Sequence, residues 1–250
     1  MSRLRPLVVA MGLLALWQLL CWTSGVPPFL LPDPLRVART LWARLDLVAG
    51  HALTTALEIL LGLAIGTALG AGSALLLAAS RRAREWVLPV LVVSQVLPVF
   101  ALAPLLVLWL GYGLPSKVAM AVLVIYFPVT AAFHDGLRRT PEGWLDLARV
   151  MGARPAAILW RVRVPAALPA FASGLRVAAA VAPIGAVVGE WVGSSSGLGY
   201  LMLHANARMQ TDLLFASLFV LCLMALLLWY GVDRLLRRLV AWPSEPLHPA

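Results

Sequence analysis

Long stretches of this chain carry no formal charge, and that constrains its fold more than any other feature. No Asp, Glu, Lys or Arg occurs in 6–32, 59–80, 86–116, 118–133 or 213–232. A further apolar stretch, 164–189, is broken only by Arg176. Crossing a bilayer as a helix takes about 20 apolar residues. The pattern therefore predicts an all-α chain with six transmembrane helices, near 7–24, 53–79, 87–110, 116–134, 170–191 and 212–233. Composition agrees, with 62% hydrophobic and 12% charged residues. A soluble domain carries about 25% charged residues, and a disordered chain lacks the hydrophobicity.

The net charge of +9 would suggest nucleic acid in a soluble protein. Here the arginines cluster between apolar runs and read as topology signals instead, so no nucleic-acid partner is expected. With the N terminus inside and six spans alternating, fifteen basic residues fall inside and five outside. This places both termini in the cytoplasm. Arg3 and Arg5 precede the first run as in a secretory leader, but no convincing small-residue cleavage site follows, so it reads as a retained helix. Cys21 and Cys222 lie in apolar runs and read as buried packing residues, with no disulfide framework or metal site.

The loops differ in kind. Pro27, Pro28, Pro32 and Pro34 mark an external turn, after which Leu35, Ala38, Leu41, Trp42 and Leu45 recur at helical spacing. That predicts an amphipathic surface helix. The tail, 239–250, is proline-rich and expected to be flexible. Gly62, Gly66 and Gly70 put small residues on one face of the second span, which reads as close helix packing. Pro89, Pro98, Pro104, Pro128, Pro169 and Pro183 fall within the spans. Broken helices suit a translocation pathway but also occur in plain bundles. Glu58, Arg176 and Glu190 are charges in or near the spans, where charge is costly. Each is either interfacial or functional. Glu58, Gln95 and Glu190 are the candidates to line a substrate pathway.

The richest segment is 142–169, EGWLDLARVMGARPAAILWRVRVPAALP. Trp144, Leu145, Leu147, Ala148 and Met151 supply apolar contacts, while Asp146 and Arg149 keep the segment wet. Gly152 can end a helix in a left-handed conformation, and Pro155 can open the next. The pattern predicts two short helices joined by a sharp turn, suited to docking a cytoplasmic partner. The other reading is an ordinary interfacial loop.

This stretch resembles the EAA loop of permease subunits in binding-protein-dependent ABC importers: EAA, three residues, G, nine residues, I-x-L-P. The matching positions are Asp146, Leu147 and Ala148, then Gly152, then Val162, Arg163, Val164 and Pro165. The spacing agrees throughout. Asp replaces the first Glu, Leu the first Ala, and Val both Ile and Leu. LPVFALAPLLVLWLGYGLPSK (97–117) and GEWVGSSSGLGYLM (189–202) are similar to the nitrate/sulfonate/taurine branch. SSSGLGYLMLHANARMQTDLLF is similar to permeases for hydroxymethylpyrimidine, a thiamine precursor.

The resemblance implies a type I, MetI-like permease: a single membrane domain with a core near 53–233 and a coupling loop at 135–169, in a bacterial inner membrane. It implies a homodimer around one pathway, although a single sequence leaves a heterodimer open. It also implies cytoplasmic ATPase subunits and a periplasmic or lipid-anchored binding protein. Asp146, Leu147, Ala148, Gly152, Val162, Val164 and Pro165 would then couple to the ATPase. The chain shows no Walker A motif, so no cofactor or catalytic residue is expected of it. The expected cargo is a small organic solute such as hydroxymethylpyrimidine. A sulfonate, taurine or nitrate importer, a stand-alone ion-coupled transporter using Glu58 and Glu190, and a non-transporting membrane scaffold are the competing readings.

Overall fold

The computed structural model describes residues 5–96 and 98–240. The side chain of Gln95 and most of the proline-rich tail lie outside the described residues. Every regular element described is helical. In order they are α1 (Arg5–Thr23), α2 (Pro34–Ala43), α3 (Leu45–Ala79), α4 (Arg81–Val96), α5 (Val99–Leu110), α6 (Leu114–Arg138), α7 (Glu142–Val150), α8 (Pro155–Ile158), a π-helical turn (Leu159–Arg163), α9 (Val164–Gly193), α10 (Leu198–Ala207) and α11 (Thr211–Leu239). Among the described residues, four helical stretches are long and apolar enough to cross a membrane: α3, α6, α8 through α9, and α11.

The second expected span is longer than its apolar run, because α3 begins at Leu45 rather than near 53. Its 35 residues rise about 52 Å, more than the roughly 30 Å of hydrocarbon, so it must tilt or protrude. The third expected span is two helices. Helix α4 ends at Val96 and α5 starts at Val99, with Pro98 between them in an extended conformation. Proline lacks an N–H and disfavours helix in the residue before it, so a break falls there. Pro89 and Pro104 sit inside these same helices without ending them.

Helix α6 is the centre of the bundle, packed between α3 and α9. Small residues set both contacts. A Cβ on Gly62 would overlap Ala121, one on Gly66 would strike Ile125, and one on Gly70 would meet Val129 and the Tyr126 carbonyl at 3.0 Å. These pairs climb together, so α3 and α6 run parallel, and α4 with α5 forms the return between them. On the other side Gly174 meets Ala132 and the Pro128 carbonyl, while Gly185 meets Ala121. That pairing is antiparallel. Lipid is as apolar as leucine, so the driving force is close van der Waals packing, which only small residues permit. The expected glycine stripe is thus a helix-packing face.

Arg176 on α9 is paired across to α11. Its Nε lies 2.7 Å from Asp233 Oδ1, and Arg237 Nε lies 2.7 Å from Asp233 Oδ2. The pairing offsets the cost of a charge within the apolar stretch. The amphipathic surface helix is α2: Asp33 caps it by accepting from the Arg36 N–H at 2.9 Å, Pro34 opens it, and Thr40 donates to Asp212 on α11 at 2.8 Å. Trp17 on α1 stacks on Phe215 of α11. The cysteine expectation needs correction. Both are free thiols; Cys21 is half-buried, and Cys222 is exposed on α11. In a lipid-facing bundle an apolar position need not be an interior one.

Candidate functional site

Two clusters of sequence-marked residues lie at opposite ends of α3. The first is the hairpin formed by α7 and α8, rooted in the π-helical turn. Helix α7 ends where Gly152 takes φ +76°. The Ala153 N–H donates to the Ala148 carbonyl and the Gly152 N–H to the Arg149 carbonyl, both at 2.9 Å. This is the glycine-terminated helix end that the spacing predicts. Arg154 is extended, and Pro155 then starts α8. Asp146, Leu147 and Ala148 lie on α7, and Asp146 accepts from Arg149 at 2.6 Å. No side chain of α7 is buried. Leu147, Val150 and Met151 are 62%, 86% and 77% exposed, an apolar face left uncovered by the described residues. Val162, Val164 and Pro165 sit instead at the foot of the hairpin. Val164 and Leu159 pack on Ala74 of α3, Phe133 and Leu137 of α6, and Ala167 of α9.

Arg163, in the unconstrained position of the motif, was not among the expected coupling residues. Its Nε and Nη2 donate to the Leu137 carbonyl at 3.0 and 2.9 Å, and its Nη1 donates to the Ala78 carbonyl at 3.3 Å. One guanidinium thus joins the hairpin to the last turns of α3 and α6.

The second cluster is polar and buried. Glu58 and Glu190 are each 1% exposed and lie close together between α3 and α9. Thr55 donates to Glu190 Oε1 at 2.6 Å. The second oxygen of Glu190 accepts from the backbone N–H groups of Gly199 and Tyr200. Thr55 Oγ1 accepts from the Leu198 N–H at 2.8 Å, and His51 Nδ1 from the Gly197 N–H at 3.0 Å. The first N–H groups of any helix lack intrahelical partners. At the start of α10 four consecutive N–H groups, from the N-cap Gly197 to Tyr200, are satisfied by side chains of α3 and α9. Glu190 therefore clamps α10. Glu58 keeps one oxygen without a partner among the described residues. Lys117 is buried nearby and donates to the Gly113 carbonyl at 3.0 Å.

Helix α10 was not anticipated, since GSSSGLG reads locally as a turn. A signal did exist. His51, Thr55 and Glu58 recur at i, i+4 and i+7, a polar stripe on an apolar helix that needs a polar partner. Among the described residues no group of His, Cys, Asp and Glu could hold a metal ion.

Residues 46–243 match the family described as binding-protein-dependent transport system inner membrane component. The chain belongs to that family. It is an ABC importer permease, as the spaced hairpin motif implied. A probable ABC transporter permease of Haemophilus influenzae is 55% identical over 237 residues, covering 95% of this chain and 97% of that protein. The formylaminopyrimidine transport permease ThiX of Halalkalibacterium halodurans is 38% identical, with 97% of each chain covered. The riboflavin permease RibX of Chloroflexus aurantiacus is 37% identical, covering 95% of this chain and 90% of that one. Aliphatic sulfonate and taurine permeases match as well, so the expected branch is represented. In solved structures, the inward-facing MetNI methionine ABC transporter superposes with TM-score 0.61 at 20% identity, over 83% of this chain and 97% of that one. That likeness bears out the all-α, MetI-like architecture.

Proposed function

We propose that the α7–α8 hairpin is the docking element for a separate ATPase, and that two copies of this chain enclose one pathway. The observation that carries this is the bare apolar face of α7. Leu147, Val150 and Met151 are solvent-exposed on and just past a helix with no fully buried residue, within the stretch that the family motif spans. An exposed apolar patch rimmed by charge marks an interaction surface. Six crossings follow if α1 spans and α4 with α5 makes one broken span. The basic-residue asymmetry then sets both termini and α7 in the cytoplasm, and α2 and α10 outside. A binding protein would meet the outer face, and ATP hydrolysis would belong to the ATPase chain.

Glu190 has both oxygens engaged, Oε1 by Thr55 of α3 and Oε2 by the first N–H groups of α10, which argues against a free ion-binding carboxylate there. We assign Glu58 and Glu190 to the outer end of the pathway, where Glu190 fixes α10. Gln95 remains a candidate lining residue. The permeases ThiX and RibX carry nitrogen heteroaromatics by name, and that supports a cargo of this class, hydroxymethylpyrimidine first.

The test is uptake of labelled hydroxymethylpyrimidine by cells carrying wild type, Asp146→Arg or Gly152→Pro. Both substitutions should abolish uptake and leave membrane insertion intact. Normal uptake by both would remove the coupling role from α7. Wild-type uptake of labelled taurine with none of the pyrimidine would move the cargo to the sulfonate class.

A further inference from the structure

The Leu137 carbonyl presents a problem that the sequence creates. In a continuing helix it would accept from the N–H four residues on, but that residue is Pro141, which has none. The Ala78 carbonyl lies in the last turn of α3, where helix carbonyls also lack partners. Thr140 supplies one hydrogen bond to Leu137, at 3.2 Å. Arg163 supplies the rest, two donors to Leu137 and one to Ala78. The rigid fork of a guanidinium can serve two carbonyls on two helices at once, and the negative ends of both helix dipoles favour its charge. Arg163 sits on the π-helical turn between the hairpin and α9. Below it, Leu159 and Val164 pack into the apolar cluster of Ala74, Phe133, Leu137 and Ala167.

We propose that Arg163 is the positioning residue that makes the hairpin and the ends of α3 and α6 move as one body. The proposal rests on α7 being the ATPase-docking element. A push on α7 would otherwise be absorbed by bending at the π-helical turn. With the tie in place it is delivered to the helices that flank the pathway.

Spin labels at Arg82→Cys, at the start of α4 just past the end of α3, and at Glu142→Cys, with Cys21 and Cys222 changed to Ser, report the separation of that α3–α4 corner from the hairpin. The distance is measured in the complex with the co-purified ATPase, with and without a non-hydrolysable ATP analogue. The wild-type pair should hold one distance in both states. In Arg163→Gln the ATPase should still bind and hydrolyse ATP, but nucleotide should now shift the distance by several ångströms. Arg163→Lys, which keeps the charge without the fork, should shift less. Arg163→Gln combined with Pro141→Ala offers Leu137 a backbone donor and guards the helix end if the single variant folds poorly. It should still show the shift, because it restores the cap and not the tie. A wild-type distance that itself moves with nucleotide, unmoved distances in the variants, or full recovery in the double variant would overturn the proposal. Failure of the wild-type chain to capture an ATPase would overturn the docking reading and this one together.

Discussion

Thr55 holds the buried polar cluster together at the residue scale, because its hydroxyl both donates to Glu190 and accepts from the Leu198 N–H. Thr55→Val keeps the shape and removes both bonds. Leaving buried polar groups unpaired costs about 1–3 kcal/mol. Thermal unfolding of the purified chain should show that loss, with Thr55→Ser close to wild type; equal stability of the two variants would show that the clamp contributes nothing. Gly197 is more restrictive still. Its φ is +110°, and a Cβ there would lie against the Glu190 carboxyl. Glu58 and Glu190 were legible as unusual polar residues because charge is rare in such helices. Their pairing was not, since contacts between distant helices leave no local pattern. Arg163 was hidden for the opposite reason, as one more arginine in a basic loop.

At the scale of elements, the glycine stripe makes a sharp distinction between neighbouring positions. Gly66 faces Ile125 across the α3–α6 contact, whereas a Cβ on Gly72 would meet nothing within 4 Å. Gly66→Leu should force the two helices apart, at a cost of about 1–3 kcal/mol or more. Gly72→Leu should be tolerated. Size-exclusion profiles in detergent check this: a monodisperse Gly66→Leu protein with wild-type stability would mean that the two helices do not depend on close approach. The apolar runs made most long helices readable, and turn chemistry at Gly152 and Pro155 made the hairpin readable. The broken third span was not resolved from a continuous apolar run, because Pro89, Pro98 and Pro104 look alike in sequence and only Pro98 falls at the break. Helix α10 escaped notice because its first turn is completed by side chains of α3 and α9 rather than by its own cap.

The whole molecule has an asymmetry of ends. At one end α10 is closed onto α3 and α9 by buried hydrogen bonds. At the other, α7 is fixed by its root and leaves its apolar face bare. On the proposed docking role, α7 is a lever that a separate ATPase would drive, which agrees with the family. The most direct measurement is purification of the tagged chain in mild detergent, with co-purified proteins identified by mass spectrometry and tested for ATP hydrolysis. The account predicts an ATPase that accompanies the wild-type chain and is lost from Leu147→Asp combined with Gly152→Pro. An ATPase retained in full by that variant, or none with wild type in several mild detergents, would contradict it.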